Sequence, residues 1–246
     1  MDRVPTGVKG FDHLIEGGIP RGAVVLLSGS PGTGKTIFGL EYIYRGANNF
    51  GEKSMFISFE QDHNDIREQG KQLGFNNIDK LEEEGMITFA CMTANLVDKH
   101  TAKDIFTEIR DRKAERVVID SLSALSINAP VYTMAKDMVM SDVMDHNTVF
   151  SPPVVGEDMK KNFIYKFMGD IKKLPVTALM LSEIPDSKEV LSSDGVSEFV
   201  SDGVVIVKKS SIGEEVNRTI HIEKMRLTKI KSAMREFDID GGFLVM

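Results

Sequence analysis

The sequence predicts an α/β fold built on a mostly parallel, twisted sheet with helices on both faces. Short apolar runs rich in β-branched residues recur along the chain, and stretches with helical apolar spacing separate them. Strands that alternate with helices form right-handed βαβ units, whose strands are parallel and buried on both faces. The 246 residues suffice for one large domain with a sizeable core, so we expect a single domain over residues 1–246.

Five apolar runs give the expected parallel strands. Residues 24–28 read VVLLS and residues 55–59 read MFISF, and both runs are short and strongly apolar. The other three runs are residues 87–92, 117–119 and 177–181. Apolar residues at helical spacing predict the intervening helices over residues 35–47, 62–73, 102–113 and 160–173.

Two further runs predict an antiparallel C-terminal hairpin added to the parallel sheet. Residues 204–207 and 219–223 are joined by a polar turn that contains Gly213. Residues 128–158, in contrast, show no clear period and hold three prolines and several methionines. We expect a surface insertion or mobile loop there, with a short helix near residues 134–144.

Composition and charge exclude several classes of function. The net charge is −7, which weighs against strong nonspecific binding to nucleic acids but leaves room for a local basic patch. Cys91 is the only cysteine, so no intrachain disulfide and no cysteine-based metal site are expected. The five histidines lack the spacing of zinc ligands. We find no apolar stretch long enough for a membrane span and no signal-peptide pattern, and we expect a cytoplasmic protein.

A glycine-rich motif follows the first predicted strand. Residues 29–36 read GSPGTGKT and match the phosphate-binding pattern G-x-x-x-x-G-K-[ST] in full. Glycines let this loop curl in conformations that a Cβ would oppose, so that its N–H groups form an anion nest at the positive end of the next helix. We expect nucleotide contacts from Gly29, Ser30, Pro31, Gly32, Thr33, Gly34, Lys35, Thr36 and Ile37.

The last two residues of the motif specify phosphate and metal chemistry. Lys35 is expected to place a point charge on the β- and γ-phosphates, and Thr36 to offer its hydroxyl to magnesium. A purely structural glycine turn is the alternative interpretation. The position between a buried strand and an amphipathic helix favours the phosphate site, and the motif therefore predicts ATP and Mg²⁺ as ligands.

Two carboxylates follow predicted strands, where functional groups of open α/β sheets gather. Asp120 ends the RVVID run and suits the Walker B role of holding Mg²⁺. Glu60 follows MFISF and is placed to polarise the water that attacks the γ-phosphate. The alternatives are an aspartate that caps the next helix and a solvated glutamate at a strand end.

These residues lie in stretches that resemble the RecA-superfamily ATPases and, within them, the KaiC-like family. The stretches are PTGVKGFDHLIEGGIPRG before the glycine loop, FISFEQ around Glu60 and VVIDSLSAL around Asp120. The runs ALMLSEI, EFVSDGVVIV and IEKMRLTK extend the resemblance to the C-terminus, with an interruption mainly at residues 128–158. The resemblance implies a RecA-like P-loop core in a single-domain protein of the archaeal type.

The resemblance also implies roles for individual residues. Glu60 matches the catalytic glutamate of the family. Ser182 and Glu183 match the polar sensor end of the strand beside Asp120. Lys224 and Arg226 match a basic pair that reaches the nucleotide of a neighbouring subunit, where it stabilises charge on the γ-phosphate. A ring of subunits, with a hexamer favoured and ATP between the subunits, follows from the same resemblance.

Two positions depart from the family pattern. Gln61 stands where the family often has a second glutamate, which leaves one carboxylate to activate water. Ile230 stands where the basic motif often continues to a histidine. We therefore expect a slow ATPase.

Two other classes of function stay open on the sequence. One is an accessory protein of DNA recombination, similar to archaeal paralogs of the RecA and RadA recombinases, that binds single-stranded DNA. Its support is a basic C-terminal set: Lys208, Lys209, Lys224, Arg226, Lys229, Lys231 and Arg235. The other is a nucleotide-gated interaction or signalling module with little turnover, in which residues 128–158 contact a protein partner.

Overall fold

The structure is a computed structural model that describes residues 1–92, 100–128, 152–184, 190–212, 215–231 and 234–246. Its strands, in chain order, are β1 (Arg3–Val4), β2 (Ile19–Pro20), β3 (Val24–Gly29), β4 (Ser54–Ser58), β5 (Ile87–Cys91), β6 (Arg116–Asp120), β7 (Thr177–Glu183), β8 (Gly203–Ile212), β9 (Glu215–Met225), β10 (Arg235–Ile239) and β11 (Phe243–Val245). Its helices are α1 (Lys35–Phe50), α2 (His63–Gln72), α3 (Ile78–Glu83), α4 (Thr101–Asp111), α5 (Leu122–Asn128), α6 (Pro152–Ile171) and α7 (Ser197–Val200). A 3₁₀ turn covers Asp12–Ile15.

The described strands β3–β11 form one sheet in the spatial order β11-β10-β9-β8-β3-β7-β6-β4-β5. All pairings from β8 through β3, β7, β6 and β4 to β5 are parallel. The strands β9, β10 and β11 are added antiparallel at the other side. The strand β3 lies between β7 and β8, so the loop that follows it opens near the centre of the sheet.

Alternation along β3 shows how the sheet separates two cores. Val25 and Leu27 pack with α1 and the N-terminal segment, whereas Val24 and Leu26 pack with helices α4, α5 and α6. Successive side chains of a strand point to opposite faces, so a strand without polar interruptions is covered on both sides. Helices therefore lie on both faces, as the sequence predicts.

A buried arginine fixes α1 at the amino ends of the parallel strands. Arg116 is fully buried, and its Nε donates to Glu52 Oε2 at 2.6 Å. The guanidinium lies between the rings of Tyr42 and Phe50, at 4.8 and 5.1 Å from their centroids. A Cβ at Gly46 would lie 2.4 Å from the Arg116 side chain, so α1 approaches β6 closely only because residue 46 is glycine.

A second buried charge ties α1 to the C-terminal strands. Glu41, 2% exposed, accepts the backbone N–H of Phe243 at 2.6 Å and pairs with Arg45 at 3.1 Å. Phe243 stacks on Phe237 of β10 and meets Phe38 of α1 edge-on. These contacts hold the β10–β11 pair against the helix that follows the glycine loop.

The predicted α/β fold and all five predicted parallel strands are confirmed, with boundaries shifted by a few residues. The strand predicted at 55–59 is Ser54–Ser58, so Glu60 follows it after one intervening residue. The helix predicted at 160–173 begins at Pro152, and the hairpin is longer than predicted. Strands β10 and β11 and helix α3 were not predicted. No helix in the described ranges combines the length and apolarity needed to cross a bilayer.

Two predictions from the sequence fall wholly or mostly outside the described residues. Gly213, expected in the hairpin turn, lies outside the described residues. So do residues 129–151, which include most of the expected insertion and the short helix expected near residues 134–144.

Replacing Glu41 tests how the C-terminal strands are held. Burial raises the pKa of Glu41 above its ordinary value of 4.5, so the folded state binds more protons than the unfolded state as the pH rises above 4.5. As the pH rises above 4.5, the free energy of unfolding of the wild type should therefore fall relative to that of Glu41→Gln. Below pH 4.5 the difference between the two proteins should not change with pH. Glu41→Ala, which leaves the Phe243 N–H without its acceptor, should cost about 2 kcal/mol.

Urea unfolding at a series of pH values measures both effects. Glu236→Gln, which replaces an exposed carboxylate on β10, is the matched control and should follow the wild type throughout. A Glu41→Gln curve parallel to that of the wild type from pH 4 to 8 would contradict the expectation.

Candidate functional site

The glycine loop connects the central strand β3 directly to α1. Gly32 and Gly34 have φ values of 75° and 99°, in the left-handed region that glycine adopts without strain. A Cβ at Gly34 would lie 2.7 Å from Ile239 Cδ1, and one at Gly29 would lie 2.4 Å from the Val207 carbonyl oxygen. The loop thus curls as its sequence predicts, and two of its glycines make room for close neighbours.

Lys35 begins α1 and points back along the loop. Its Nζ donates to the carbonyl oxygens of Gly29 at 2.9 Å and Ser30 at 3.0 Å. Burial lowers the pKa of Lys35, while Glu183, Asp120 and Glu60 oppose that shift. Lys35 is 7% exposed, and its charged neighbours are three carboxylates.

Thr36 and Asp120 meet across the site. The Thr36 hydroxyl donates to Asp120 Oδ2 at 2.7 Å, which joins the start of α1 to the end of β6. Burial raises the pKa of Asp120 to about 6, with the nearby Glu60 adding to that shift and the Thr36 hydroxyl and Lys35 opposing it. Two oxygen ligands that the sequence predicts for a metal are therefore adjacent.

Glu60 lies beside the same edge of the sheet. The Ser121 hydroxyl donates to Glu60 Oε1, and the Ser58 hydroxyl accepts the backbone N–H groups of Glu60 at 3.3 Å and Gln61 at 2.9 Å. The turn after β4 is thus fixed by one serine, and the carboxylate it carries is oriented by another.

These groups line a cleft of about 410 Å³, within the size range of small-molecule sites. The lining residues are Pro31, Gly32, Gly34, Lys35, Thr36, Ile37, Glu60, Gln61, Gln69, Asp120, Ser121, Glu183, Arg218 and Ile239. The cleft combines a glycine backbone, one ammonium group, two hydroxyls and three carboxylates. Such a set can hold a polyphosphate together with a cation.

Not every expected site residue lines this cleft. Glu183 lines it, whereas Ser182 is fully buried behind it, with its hydroxyl 3.4 Å from that of Ser123. Both residues lie on β7, which pairs with β6 as the resemblance implies. Of the loop itself, Gly29, Ser30 and Thr33 do not line the cleft.

Lys224 and Arg226 lie away from the cleft of their own chain. Lys224 pairs with Val204, which is in register with Leu26, three residues before the loop glycine Gly29. Burial lowers the pKa of Lys224, and Arg226 and Lys172 lower it further. The Arg226 side chain is 57% exposed, and its guanidinium donates to Asp202 Oδ1 at 3.1 Å. The pair therefore forms a separate basic cluster around Asp202.

Comparison with known proteins identifies the family. A family model described as ATPase: KaiC matches residues 4–150 and 143–245. UPF0273 protein MJ1359 of Methanocaldococcus jannaschii is 32% identical over 262 residues, an alignment that covers all of this chain and 96% of that protein. The chain belongs to the KaiC ATPase family.

Other members of the KaiC family set the limits of this comparison. The crystal structure of KaiC-like protein PH0186 from Pyrococcus horikoshii matches all of this chain and 99% of that one, with a TM-score of 0.79 and 28% identity. The circadian clock oscillator protein KaiC of Parasynechococcus marenigrum is 31% identical over 93% of this chain. The chain spans about two fifths of the length of that clock protein, 41%, so the clock protein's activity as a whole is not transferred.

The residues of this KaiC-family site fit Mg²⁺ bound with a nucleotide. Mg²⁺ prefers oxygen ligands and is usually held by one or two side chains together with substrate phosphates. The Thr36 hydroxyl and the Asp120 carboxylate offer such oxygens at one point of the cleft. Within the described ranges no three His, Cys, Asp or Glu side chains cluster to hold a metal alone.

Sequence reasoning missed the groups that close the far side of the cleft. Arg218 of β9 and Ile239 of β10 line the cleft from one side of β3, whereas the carboxylates follow or end β7, β6 and β4 on the other side. Gln69 lines the cleft from α2. Arg218 Nε and Gln69 Oε1 are buried and have no hydrogen-bond partner among the described residues. The position of Arg218 depends on the hairpin register, in which Lys209 pairs with Arg218 beyond the end of β3. The sequence held no signal for that register.

Gly34→Ala tests whether the loop conformation is required for binding. The added Cβ would be strained at a φ of 99° and would collide with Ile239, so affinity for Mg-ATP should fall at least about tenfold. Gly51→Ala is the matched control, since Gly51 also has a positive φ, of 67°, but nothing lies within 4 Å of its Cβ. Titration with a fluorescent ATP analogue measures both, and equal affinities would contradict the expectation.

Proposed function

We propose that this chain is a slow Mg²⁺-dependent ATPase that hydrolyses ATP to ADP and phosphate in the cleft at Gly29–Thr36. The observation that carries the proposal is the convergence of Lys35, Thr36, Asp120 and Glu60 on one cleft beside a curled glycine loop. The family supports nucleotide binding, and the cleft supplies the groups that hydrolysis needs.

The proposed chemistry is an in-line displacement at the γ-phosphorus. A water oxygen bonds to phosphorus as the bond to the β–γ bridging oxygen breaks, and the electron pair leaves on ADP. Glu60, held by the Ser121 hydroxyl, orients that water and receives its proton. Lys35 turns from the loop carbonyls to the β- and γ-phosphates. Thr36 and Asp120 would hold Mg²⁺, which would supply neutralisation of the phosphate charge.

The far side of the cleft suits the nucleoside. Arg218 presents a planar guanidinium, and Ile239 presents an apolar side chain beside Gly34. A guanidinium plane stacks on aromatic rings, and an apolar side chain packs against them. We assign these two residues to the base, with Gln69 as an amide group at the same opening.

A ring of subunits explains the basic pair that its own cleft does not use. Lys224 lies two strands away from β3, which is about 10 Å across the sheet. It is level with Leu26, three residues before Gly29, which is about 10 Å along the strand. Its charged neighbours are Arg226, Lys172, Asp202 and Glu198, none of which lines the cleft. We propose that Lys224 and Arg226 approach the γ-phosphate of the adjacent subunit, in a hexameric ring. A head-to-tail contact of this kind closes into a ring when its rotation permits.

The whole chain is proposed to form one KaiC-type ATPase domain, with residues 128–158 as an insertion in it. The family model spans both sides of this region. Placement in the cytoplasm also remains a proposal, drawn from the sequence.

The recombination-accessory alternative gains no support from the described residues. Its basic set divides along the β8–β9 hairpin, because Lys208 pairs with Thr219 whereas Lys224 pairs with Val204. Arg226 is engaged by Asp202. The nucleotide-gated module remains an outcome of the kinetic test, as tight ATP binding without turnover.

Two substitutions test the proposed chemistry. Glu60→Gln keeps the size and hydrogen bonding of the side chain but cannot accept the proton, so kcat should fall at least about 100-fold while ATP still binds. Lys35→Ala should lose both binding and turnover, because the phosphates lose their buried cation. Phosphate release at saturating Mg-ATP measures kcat, and Lys71→Ala, an exposed lysine on α2, serves as control. Equal rates for all four proteins would refute the proposal.

The intersubunit role is tested by mixing variants. Arg226→Ala should lower kcat at least about 100-fold, since it removes a cation that stabilises the transition state. In an equimolar mixture with Glu60→Gln, some Arg226→Ala sites receive an intact Arg226 from a neighbour, and activity should reappear. Size-exclusion chromatography with Mg-ATP should show an assembly. A mixture as inactive as its components would contradict the arrangement between subunits.

A further inference from the structure

The segment 224–229, which carries the basic pair, is bound to the N-terminal part of the chain by Arg3. The Arg3 guanidinium donates to Thr228 Oγ1 at 3.0 Å and to the Leu227 carbonyl oxygen at 3.1 Å. It also donates to the carbonyl oxygens of Ile15 at 3.2 Å and Gly18 at 3.0 Å, and to Glu16 Oε2 at 2.6 Å. One side chain thus joins five acceptors from the two ends of the chain.

Further contacts connect the same two segments. Glu16 Oε2 accepts the backbone N–H of Lys229 at 3.1 Å, and the Lys231 N–H donates to the Leu14 carbonyl oxygen at 3.1 Å. On the other side of the segment, the Arg226 N–H donates to the Asp202 carbonyl oxygen at 2.8 Å. Residues 226–231 therefore lie between the N-terminal segment and Asp202.

Arg3 is itself held in place, so it can act as an anchor. It pairs with Pro20 in the β1–β2 ladder, and its side chain is 15% exposed. The segment that follows packs Val8, Phe11 and Ile15 into the main core. A guanidinium with five acceptors on a rigid backbone has little freedom to move, and its planar fork cannot be replaced by the point charge of lysine.

The backbone of the bound segment is one that needs support. Leu227 has a φ of 57°, in the left-handed region that a leucine rarely adopts. Arg3 binds the carbonyl oxygen of this residue, and Thr228 Oγ1 donates to the Arg226 carbonyl oxygen at 3.2 Å while it accepts from Arg3. The turn that directs Arg226 is therefore fixed on both sides of Leu227.

We propose that Arg3 is a positioning residue for ATP hydrolysis in the adjacent subunit, because it fixes the 224–229 segment that presents Lys224 and Arg226. The inference rests on the proposed intersubunit function of this basic pair. Arg3 acts through the segment and does not touch the nucleotide. Its loss should lower turnover in the neighbour's site and leave nucleotide binding in its own cleft intact.

The first test compares Arg3→Ala with Arg21→Ala. Arg21 is a second arginine of the N-terminal segment, and its ion pairs with Asp2 at 2.5 Å and Glu52 at 2.9 Å do not involve residues 224–229. Arg3→Ala should lower kcat at least about tenfold with KM for ATP within about threefold, because the fault lies in the transition-state contact. Arg21→Ala should stay within about twofold of the wild type in both constants.

The second test separates a misplaced basic pair from a general structural fault. Arg3→Ala is mixed with Glu60→Gln, whose 224–229 segment is intact but whose own site does not hydrolyse ATP. Arg3→Ala sites that lie beside a Glu60→Gln subunit receive a correctly placed pair, so activity per Arg3→Ala subunit should rise at least about threefold. A fault within the Arg3→Ala cleft would not be repaired by any neighbour, and an absence of recovery would overturn the inference.

Two controls keep the outcomes distinct. If Arg226→Ala hydrolyses ATP as fast as the wild type, the proposed intersubunit function fails and the inference fails with it. If Arg226→Ala is slow but Arg3→Ala matches Arg21→Ala, the inference alone is wrong. Should Arg3→Ala not fold, as judged by circular dichroism, Glu16→Ala replaces it in both tests. Glu16 is half exposed and accepts from both Arg3 and Lys229, and a kcat unchanged by its loss would then overturn the inference.

Discussion

The parallel pairing of β3, β7, β6 and β4 is the constraint on which the site depends. Parallel strands bring their carboxyl ends to one edge of the sheet, and each of these strands ends in or near a polar residue. Asp120, Glu60 and Glu183 are far apart in sequence but lie around Lys35 for this reason. The Thr36–Asp120 hydrogen bond then fixes the start of α1 against β6. A shift of one residue in these ladders would turn the carboxylates to the other face of the sheet.

The charged groups at this edge carry an excess of negative charge. This excess is the reason for the cations proposed at the site. Lys35 faces three carboxylates, and burial raises the pKa of Asp120 to about 6, with the charges of Glu60 and Glu183 adding to the shift. A triphosphate would add several negative charges to the same volume. A triphosphate bound there would therefore need a divalent cation, which we propose at Thr36 and Asp120, and further positive groups beyond Lys35. Lys224 and Arg226 are the cations proposed to come from the next subunit, whereas Arg218 is assigned to the base.

The sequence predicted those parts of the site that are local, and it missed those that depend on register. The glycine loop, Lys35 and Thr36 form one continuous motif, and Asp120 and Glu60 follow apolar runs whose strand character is evident. Arg218 lies in a polar stretch without a distinguishing pattern, and its place over the cleft is set by pairing with Lys209. Strand β10, which carries Ile239, has only one fully buried residue, Phe237, so its apolar signal is weak. The prediction of helices on both faces of the sheet is confirmed, because the two core clusters lie on opposite faces.

The contact between the two ends of the chain extends this dependence beyond one subunit. Arg3 and Thr228 are separated by 225 positions, and no periodicity or motif joins them in the sequence. Their hydrogen bond nevertheless sets the turn at Leu227, and with it the direction of Arg226. The chemistry of a nucleotide in one cleft would then depend on the folding of the neighbour's N-terminal segment. In such a ring, the N-terminal segment of each subunit would influence the rate of ATP hydrolysis in the adjacent subunit. The glycine loop of the same subunit would bind nucleotide independently of that segment.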